Sequence, residues 1–488
     1  MKNLDDVDKL RMKALCFKCV GEPFLSEQIK REGKRRRCSY CEGRSNCFTI
    51  DTIAEIVEFA FQQHFVRTSE HPDALEQSPL GDKELDYEWT RHGDPVIEAI
   101  ESAALVPSEA ACDIQGILEY DHRSFRPDEW GETEFADDSF YEEKDVSTHE
   151  WLEEWNLFVH LLRSETRFFS REAAAHLESA FNGIEQLRSS AGHPVIRRVG
   201  PRTHLTKLNR ARAFQSSEKL REAISRPEIH MASPPARFAN AGRMNAQGIS
   251  VFYGATKASA ALAEVRPPVG SDVVVAQFDI IRSLNLLDLT ALNEVVESGS
   301  IFDPHWIERL ERAAFLRTLS ALIIRPVMPD DEAFDYLPTQ AIADFLAVLP
   351  APTIDGILYP SVQAEGSARN VVLFRKAARV EAIDMPKGTE ITGRVEYGSD
   401  DDPMLDYVVF VKKPAVEPES KSAEFDQNWW DLAPFSSMPR NASDHDSREP
   451  SLRVDADSLV VHQVSRVKVV TTATPVRRHV STKPDTEF

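Results

Sequence analysis

Four cysteines arranged as two close pairs constrain the fold of the first fifty residues. The two Cys-x2-Cys pairs are separated by 18 residues and comprise Cys16, Cys19, Cys38 and Cys41. Each pair turns tightly enough to present two sulfurs to one metal ion, and two pairs complete a tetrahedral four-thiolate site. Because such a site has no open coordination position, the sequence predicts structural zinc. Cys47 is either a free thiol or a replacement for one of the four ligands.

A run of basic residues lies between the two cysteine pairs. Residues 30–37 include six Lys or Arg. On a zinc ribbon such a run can contact phosphate. The alternative is that these cations face the acidic stretch at 119–154, where 14 Asp or Glu accompany three Lys or Arg. We favour this alternative, because charge runs are usually solvated or locally paired. The acidic stretch itself is expected to be a solvated, loosely ordered loop, although Trp130, Phe135, Phe140 and Tyr141 argue against complete disorder and could pack on a neighbouring surface.

The net charge excludes one broad class of function. The 488 residues carry a formal charge of −22, which opposes a general electrostatic affinity for nucleic acid or anionic membranes but leaves room for a local basic patch. The sequence has no run of 18 apolar residues that would predict a transmembrane helix. Its first residues also lack the apolar stretch of a signal peptide. We therefore expect a cytoplasmic protein without membrane contact or a disulfide scaffold.

The spacing of apolar residues divides the chain into a helical part and a mixed part. Helical spacing predicts a helix at 49–65, a short helix at 95–105 and one or two helices over 151–189, with Ser170 as the cap of the second. After Pro194, strand-like and helical runs alternate. Strands are predicted at 249–255, 272–280, 355–362, 370–374 and 380–385, and helices at 257–265, 306–324 and 338–349. The fold class is therefore α+β, with a mainly helical N-terminal region before a mixed α/β domain.

The C-terminal part changes composition at about residue 414. From there the chain is rich in polar residues, Pro and Ser, which is typical of a disordered tail. We expect residues 414–488 to be mostly disordered. One run, at 458–472, has strand-like content and is interpreted either as a small hairpin or as a segment that folds on a partner.

Several polar residues of the mixed domain flank predicted strands. Gly242 allows a turn or the close approach of a ligand before the strand that includes Tyr253. Glu264 lies near the end of the next predicted helix, and Ser361 follows a later strand. Two arginines within 208–212 precede them. Each feature alone is a weak signal, since a Glu at a helix end is usually a solvated surface acid.

Together these stretches resemble a RES domain, a family named for its Arg, Glu and Ser. The resemblance covers roughly residues 205–385 and rests on NRAR (209–212), AGRMNAQGISVFYGAT with AALAEV (241–265), and GILYPSV with ARNVVLF (356–374). Met244 stands where the family usually has an aromatic residue. RES domains are similar in fold to ADP-ribosyltransferases. The family includes toxins that degrade NAD+ by phosphorolysis and members that attach ADP-ribose to a protein.

The resemblance implies an enzyme that takes NAD+ as substrate and assigns roles to particular residues. Breaking the nicotinamide–ribose bond builds positive charge on the ribose, and Glu264 would stabilise that charge. Arg210 would pair with the pyrophosphate, and Tyr253 would stack on nicotinamide. Further contacts to nicotinamide or phosphate are assigned to Ser361, Asn370, Arg212 and Arg243. Phosphate is the favoured acceptor, and water or a protein side chain are the alternatives.

The N-terminal half is similar to the HEPN-type region attached to some RES proteins. The expected division is a zinc ribbon at 1–50, a helical HEPN-like region with the acidic loop at 51–195, a RES domain at 196–413 and the tail at 414–488. The family resemblance also implies a toxin–antitoxin setting. In that setting the partner is an antitoxin or immunity protein, often of the helix-turn-helix class, and a homodimer is a further expectation.

Two other functions remain open for the N-terminal half. Arg171 and His176 fit the R-x4–6-H motif of HEPN ribonucleases, with His as general base and Arg stabilising charge. Their separation of five residues does not place them on one helical face. Alternatively, this half is a regulatory binding module that detects a partner or foreign nucleic acid and releases the RES domain.

Overall fold

The computed structural model describes residues 4–73, 76, 89–123, 132–361, 363, 367–399, 402–414, 446–468 and 471–479. The chain divides into two compact units, each formed by two separate stretches of sequence. The first unit comprises Met1–Val195 and Ala291–Ile323, and the second comprises Ile196–Thr290 and Ile324–Phe488.

The helices and strands are numbered in chain order. The helices are α1 (Leu4–Met12), α2 (Pro23–Glu32), α3 (Ile50–His64), α4 (Val96–Ala104), α5 (Ser108–Asp121), α6 (His149–His160), α7 (Arg171–Phe181), α8 (Ser217–Ser225), α9 (Pro227–His230), α10 (Ala258–Glu264), α11 (Leu289–Asn293), α12 (Trp306–Ile324), α13 (Glu332–Asp335) and α14 (Leu337–Val348). The strands are β1 (Ala14–Cys16), β2 (Lys34–Arg37), β3 (Arg44–Thr49), β4 (Phe65–Arg67), β5 (Asp94–Pro95), β6 (Phe140–Glu143), β7 (Arg188–Ser189), β8 (Ile196–Val199), β9 (Lys207–Phe214), β10 (Phe252–Ala255), β11 (Asp272–Ile280), β12 (Leu284–Asp288), β13 (Val295–Val296), β14 (Gly356–Pro360), β15 (Arg369–Leu373), β16 (Glu390–Ser399), β17 (Asp402–Lys412) and β18 (Leu452–Gln463).

The first unit is built around amphipathic helices. In α3 the side chains of Ile53, Val57 and Phe61 are buried, at the spacing that places them on one helical face. The Oγ1 atom of Thr49 accepts a hydrogen bond from the backbone N–H of Thr52 at 3.2 Å and so caps the helix N-terminus. The helix predicted at 49–65 is therefore confirmed. Helix α5 was not predicted, although it contributes several buried residues to the same core.

The acidic stretch is ordered where the structure describes it, and the prediction of a loose loop was wrong there. Strand β6 lies between β4 and β5 in a three-stranded sheet. The side chains of Phe135 and Tyr141 are buried in the core. The carboxylate of Glu132 is 2.6 Å from the guanidinium of Arg91. Aromatic burial and ion pairing therefore hold this acidic segment in place, although its composition alone suggested a solvated loop. Trp130 lies outside the described residues.

Residues 151–189 contain two helices separated by a break. Helix α6 ends in a π-helical turn at Leu161–Glu165, and α7 begins after Ser170. The Oγ atom of Ser170 accepts from the backbone N–H of Ala173 at 3.2 Å, which confirms Ser170 as the predicted cap. The cap and the π-helical turn together explain why the helical pattern does not continue as one rod.

The second unit is organised on a mixed sheet with the strand order β18-β11-β9-β10-β15-β14-β12-β8 in the described part of the chain. Neighbouring strands are antiparallel except β12 and β14, which are parallel. Strand β11 and helix α14 of this unit follow the predicted positions at 272–280 and 338–349 to within one residue. Helix α12, which belongs to the first unit except for its last residue, coincides with the prediction at 306–324. A nearly continuous apolar run marks β11, whereas apolar residues at helical spacing mark the helices. A core of apolar residues from β9, β10, β11, β14 and β15 covers one face of the sheet.

The C-terminal prediction needs correction. Strand β18 pairs antiparallel with β11 along almost its whole length, so it is neither an isolated hairpin nor a free segment. Residues 414–488 therefore include a strand of the main sheet, while 415–445 lie outside the described residues. The predicted strand at 380–385 is also wrong. Val380 forms an isolated bridge with Leu452 and the following residues are irregular.

Candidate functional site

A small cavity opens where two neighbouring strands of the main sheet separate. Strands β9 and β10 pair with each other at a single position, Asn209 opposite Ala255, whereas β9 pairs along its length with β11. Beyond that point the side chains of the two strands border a gap. The resulting β9–β10 cavity has a volume of about 50 Å³, is open to solvent, and is lined by Arg210, Ala211, Tyr253, Gly254, Ala255, Ala261, Glu264, Val265, Tyr359 and Asn370.

Arg210 places its guanidinium at this cavity. Part of that guanidinium has no hydrogen-bond partner among the described residues. Its Nη1 atom is buried and has no hydrogen-bond partner among the described residues. The guanidinium lies 4.7 Å from the ring centroid of Phe252, in a cation–π contact. Burial, and secondarily the charge of Arg212, lower the pKa of Arg210 to about 10. A buried cation with an unused donor favours the binding of an anion.

Glu264 is fixed at the mouth of the cavity by a neighbouring amide. It is the last residue of α10, and its exposed carboxylate accepts a hydrogen bond from Nδ2 of Asn370 at 3.0 Å. Asn370 lies on β15 with only 3 % of its surface exposed. Its Oδ1 atom is buried and has no hydrogen-bond partner among the described residues. Small side chains let α10 approach the sheet closely, namely Ala211, Ala255, Ala260, Ala261 and Ala368.

Tyr253 offers its ring to a ligand, because its hydroxyl already forms two hydrogen bonds within the protein. The hydroxyl donates to Oδ1 of Asn245 at 2.8 Å and accepts from the backbone N–H of Met244 at 3.1 Å. Burial raises the pKa of Tyr253, so the phenol stays neutral at physiological pH. These two bonds anchor the ring at the cavity wall. The ring face, and not the hydroxyl, is the part available for stacking on a planar group.

Tyr359 lines the cavity and was missed by the sequence reasoning. It lies on β14 directly opposite Asn370 of β15, and 6 % of its surface is exposed. Burial raises the pKa of Tyr359 well above its usual value, so its hydroxyl keeps its proton. A tyrosine within an otherwise apolar strand was the available signal. Its position beside Asn370 depends on the strand register, which the sequence does not reveal.

Three of the predicted site residues lie outside the lining of this cavity. The Nη1 atom of Arg212 donates to the backbone carbonyl of His230 at 2.6 Å. The Nη1 atom of Arg243 donates to the carbonyl of Arg325 at 2.7 Å. Ser361 follows the end of β14, and its Oγ atom accepts from the backbone N–H of Gln363 at 3.4 Å. The cavity thus brings together the four other predicted residues, Arg210, Tyr253, Glu264 and Asn370.

Replacing Gly242 with Ala is expected to disturb the anchor of Tyr253. A Cβ atom at Gly242 would lie 2.8 Å from both the Tyr253 hydroxyl and Oδ1 of Asn245. Because both atoms belong to one hydrogen bond, we expect about 1–3 kcal/mol of lost stability from overpacking and a displaced ring. Thermal unfolding and ligand titration would measure the two effects.

The matched control for Gly242→Ala is Gly270→Ala. Gly270 has a left-handed φ of 88°, with nothing within 4 Å of an added Cβ. That change costs backbone strain but leaves the cavity untouched. Equal effects of both variants on ligand binding would contradict the role given to the Gly242 contact.

The four paired cysteines converge in the first unit as a cluster that could hold a metal ion. All four Sγ atoms lie within 4.8 Å of one another. The Sγ of Cys16 is 3.6 Å from that of Cys19 and 3.6 Å from that of Cys41, and Cys19 is 3.9 Å from Cys38. Four thiolates around zinc at about 2.3 Å stand about 3.8 Å apart. The cluster therefore fits a tetrahedral zinc ion held by Cys16, Cys19, Cys38 and Cys41.

Cys47 does not belong to this cluster. It is buried on β3, and its Sγ atom donates to the carbonyl of Ser45 at 3.3 Å and lies 3.7 Å from that of Arg36. A Cys47 thiol packed between neighbouring strands explains the fifth cysteine without a metal role. Of the two interpretations of Cys47, the structure favours the free thiol.

The basic run does not pair with the acidic stretch in the part of the chain that the structure describes. Its ion pairs there are Lys30 with Glu27, Arg31 with Glu32, and Arg37 with Glu42. All these acids come from the ribbon itself. The favoured explanation of the basic run was therefore wrong for the described residues, because the acids of 132–154 are engaged elsewhere, for example by Arg67 and Arg91.

The two residues of the ribonuclease motif have different surroundings. Arg171 is exposed at the start of α7, whereas His176 is buried. The ring of His176 lies among aromatic side chains, and its Nδ1 atom is 3.0 Å from the carboxylate of Glu154. The surrounding rings are Trp151, Trp155, Phe158 and Phe315. A buried histidine within an aromatic cluster is a packing residue more readily than a general base for RNA.

Comparison with known proteins identifies one domain. Residues 210–392 match the family model described as "RES domain". The match supports the resemblance seen in the sequence, and no family match supports the HEPN-type interpretation of the N-terminal region. Neither a curated protein nor a solved structure matches the chain. Among the described residues, no helix combines the length and apolar character that spanning a bilayer requires.

Proposed function

We propose that the chain is an NAD+-consuming enzyme whose RES domain cleaves the nicotinamide–ribose bond at the β9–β10 cavity. RES domains are associated with toxins that act on NAD+, and residues 210–392 match that family. The observation that carries the proposal is the pairing of two features at one cavity. The guanidinium of Arg210, whose buried Nη1 has no partner among the described residues, and the oriented carboxylate of Glu264 both line it.

The chemistry follows from the charge that develops during bond cleavage. When the C1′–N bond of nicotinamide ribose breaks, its electron pair leaves with nicotinamide and the ribose becomes oxocarbenium-like. A fixed carboxylate stabilises that cation without reorganisation at the moment of reaction. Glu264 supplies this carboxylate, and its hydrogen bond from Asn370 holds one oxygen in place. The incoming acceptor then forms the new bond at C1′.

The other lining residues suit two polar groups of NAD+, the pyrophosphate and the carboxamide of nicotinamide. The guanidinium of Arg210 has an unused donor for the pyrophosphate. The Tyr253 ring is available to stack on nicotinamide. The unpartnered Oδ1 of Asn370 and the hydroxyl of Tyr359 suit the carboxamide, which carries both donors and an acceptor.

Phosphate is the acceptor that we propose, which makes the products nicotinamide and ADP-ribose 1″-phosphate. Transfer to water or to a protein side chain is the alternative. Arg212, Arg243 and Ser361 remain sequence-based assignments for phosphate or nicotinamide contacts, since they lie beyond the cavity lining. An antitoxin partner of the helix-turn-helix class and a homodimer remain expectations from the family resemblance. No specific observation favours the ribonuclease function.

Replacing Arg210 with Met tests whether the unpartnered cation is kept for substrate. Methionine has similar length but no charge, so the variant removes an unsatisfied buried donor. We expect NAD+ turnover to fall by at least about 100-fold. The free energy of unfolding should stay constant or rise by about 1–3 kcal/mol, because the desolvation cost disappears. Denaturant unfolding and NAD+ consumption measure the two quantities.

The matched control for Arg210→Met is Arg221→Met, at an exposed arginine of α8. Neither turnover nor stability should change appreciably in this control. If Arg210→Met kept full turnover, Arg210 would have no part in substrate binding. If it lost both stability and activity, Arg210 would be a structural residue instead.

A further inference from the structure

The basic edge of the zinc ribbon is fully exposed. Strand β2 consists of Lys34, Arg35, Arg36 and Arg37, and all four side chains are exposed. Alternate residues of a strand point to opposite faces, so a buried face would hide two of them. Because none is hidden, both faces of β2 meet solvent. In the described residues β2 is also the edge of its sheet, with the order β1-β3-β2.

The positive charge of this edge is concentrated further by its neighbours. Arg44 of β3 is exposed and stands directly opposite Arg37 in the strand register. Lys30 and Arg31 lie in the last turn of helix α2, just before β2. Residues 30–44 thus include seven Lys or Arg and two Glu. We refer to these seven cations as the ribbon edge.

The nearby acids do not neutralise the ribbon edge. The pairs of Lys30 with Glu27, Arg31 with Glu32 and Arg37 with Glu42 join side chains that are 47–78 % exposed. Such surface pairs contribute little and exchange readily for a stronger anion. In the part of the chain that the structure describes, no ion pair engages the four cations Lys34, Arg35, Arg36 and Arg44. An edge strand of cations also prevents strand pairing, but that role does not require Arg44 beside it.

We propose that the ribbon edge binds the phosphate backbone of a double-stranded nucleic acid, independently of base sequence. Closely spaced, unpaired cations on one edge match a regular array of phosphates, and arginine suits bidentate phosphate contact. Single strands are usually held by exposed aromatic stacking platforms. Strand β2 has no aromatic residue, and the nearby Tyr40 ring is partly buried with its hydroxyl bonded to Asp113 at 2.7 Å. The ribbon edge therefore contacts phosphate, not bases.

The cysteine cluster makes this edge rigid. Cys38 directly follows Arg37, and Cys41 lies in the turn that leads to β3. Zinc held by these cysteines would fix both ends of the turn that joins β2 to β3. A preorganised row of cations loses less side-chain and backbone freedom on binding than a flexible basic tail does. This function goes beyond NAD+ cleavage and is independent of it.

The test measures binding of the full-length protein to fluorescent duplexes across a salt series. The probes are a short DNA duplex and an RNA duplex of the same sequence, with the polyanion polyglutamate as a third arm. Both duplexes should bind, with affinity falling steeply between roughly 50 and 200 mM salt. One variant combines four changes, Lys34→Gln, Arg35→Gln, Arg36→Gln and Arg44→Gln. Its affinity for both duplexes should fall at least about tenfold. The slope of log affinity against log salt should shrink by about 0.9 for each phosphate contact that the variant loses.

The control variant makes the same charge change elsewhere in the first unit. One exposed lysine and three exposed arginines are replaced by Gln, namely Lys9, Arg163, Arg167 and Arg188. This control should keep the affinity and salt slope of the parent, and the zinc content of both variants should match the parent. The proposal is overturned by absent duplex binding in the parent, by equal losses in both variants, or by polyglutamate binding as tight as duplex binding. Preference for one duplex type would identify the biological form.

Discussion

Replacing Glu264 with Gln is expected to lower NAD+ consumption by at least about 100-fold and to leave thermal unfolding unchanged. Glutamine has the same size, and its carbonyl oxygen can still accept from Nδ2 of Asn370, as the carboxylate does at 3.0 Å. The variant therefore removes the charge and retains the geometry. The loss should lie in kcat more than in KM, because the ribose is cationic only in the transition state.

Glu222→Gln is the control for this prediction. Glu222 is an exposed acid of α8 in the same unit, and the same substitution there should leave kcat unchanged. Full turnover by Glu264→Gln would remove Glu264 from the mechanism. A loss that appeared only as higher KM would assign Glu264 to ground-state binding.

Loss of the zinc site is expected to unfold the N-terminal ribbon. Cys38 is 1 % exposed and belongs to the four-sulfur cluster. In Cys38→Ser one thiolate ligand is missing, and bound zinc should fall from one per chain to near zero. Structural zinc contributes on the order of 10 kcal/mol to the folding of small zinc domains. The cysteines lie in a small group of buried residues, Ala14, Cys16, Cys38 and Cys47, apart from the larger core. The turns that carry them should therefore lose protection from proteolysis, as they should after chelation.

Cys47→Ser provides a strict comparison for the zinc prediction. Cys47 is equally buried, at 2 %, but lies outside the cluster. Its replacement should cost a modest amount of stability through loss of an apolar thiol, with zinc content preserved. Elemental analysis and limited proteolysis distinguish the two variants. Equal zinc loss in both, or full zinc retention in Cys38→Ser, would contradict the assigned ligand set.

Long apolar runs allowed much of the fold to be predicted, and distant pairing limited the rest. Strand β11 coincides with the predicted bounds because its apolar residues are nearly continuous, and helix α12 does so because its apolar residues recur at helical spacing. The run at 458–472, which includes the end of β18, was interpreted either as a small hairpin or as a segment that folds on a partner, since the pairing strand β11 lies almost two hundred residues away. The predicted strand at 380–385 failed because Val380 and Ile383 pack singly against the core.

The candidate site shows the same division between local and tertiary information. The sequence motifs identified four residues of the site, because each is recognisable from its neighbours in the sequence. They are Arg210, Tyr253, Glu264 and Asn370. Tyr359 was missed, because only the β14–β15 register brings it beside Asn370. The acidic stretch was misjudged because its composition does not reveal partners such as Arg91, which lies far from Glu132 in sequence.

The most direct test of the account is to incubate the purified full-length protein with NAD+, with and without inorganic phosphate, and to separate the products by chromatography. The account predicts release of nicotinamide, with phosphate required and ADP-ribose 1″-phosphate as the second product. Release without phosphate would retain NAD+ cleavage and reassign the acceptor to water or protein. Intact NAD+ in both samples, with folded and zinc-loaded protein, would contradict the central claim.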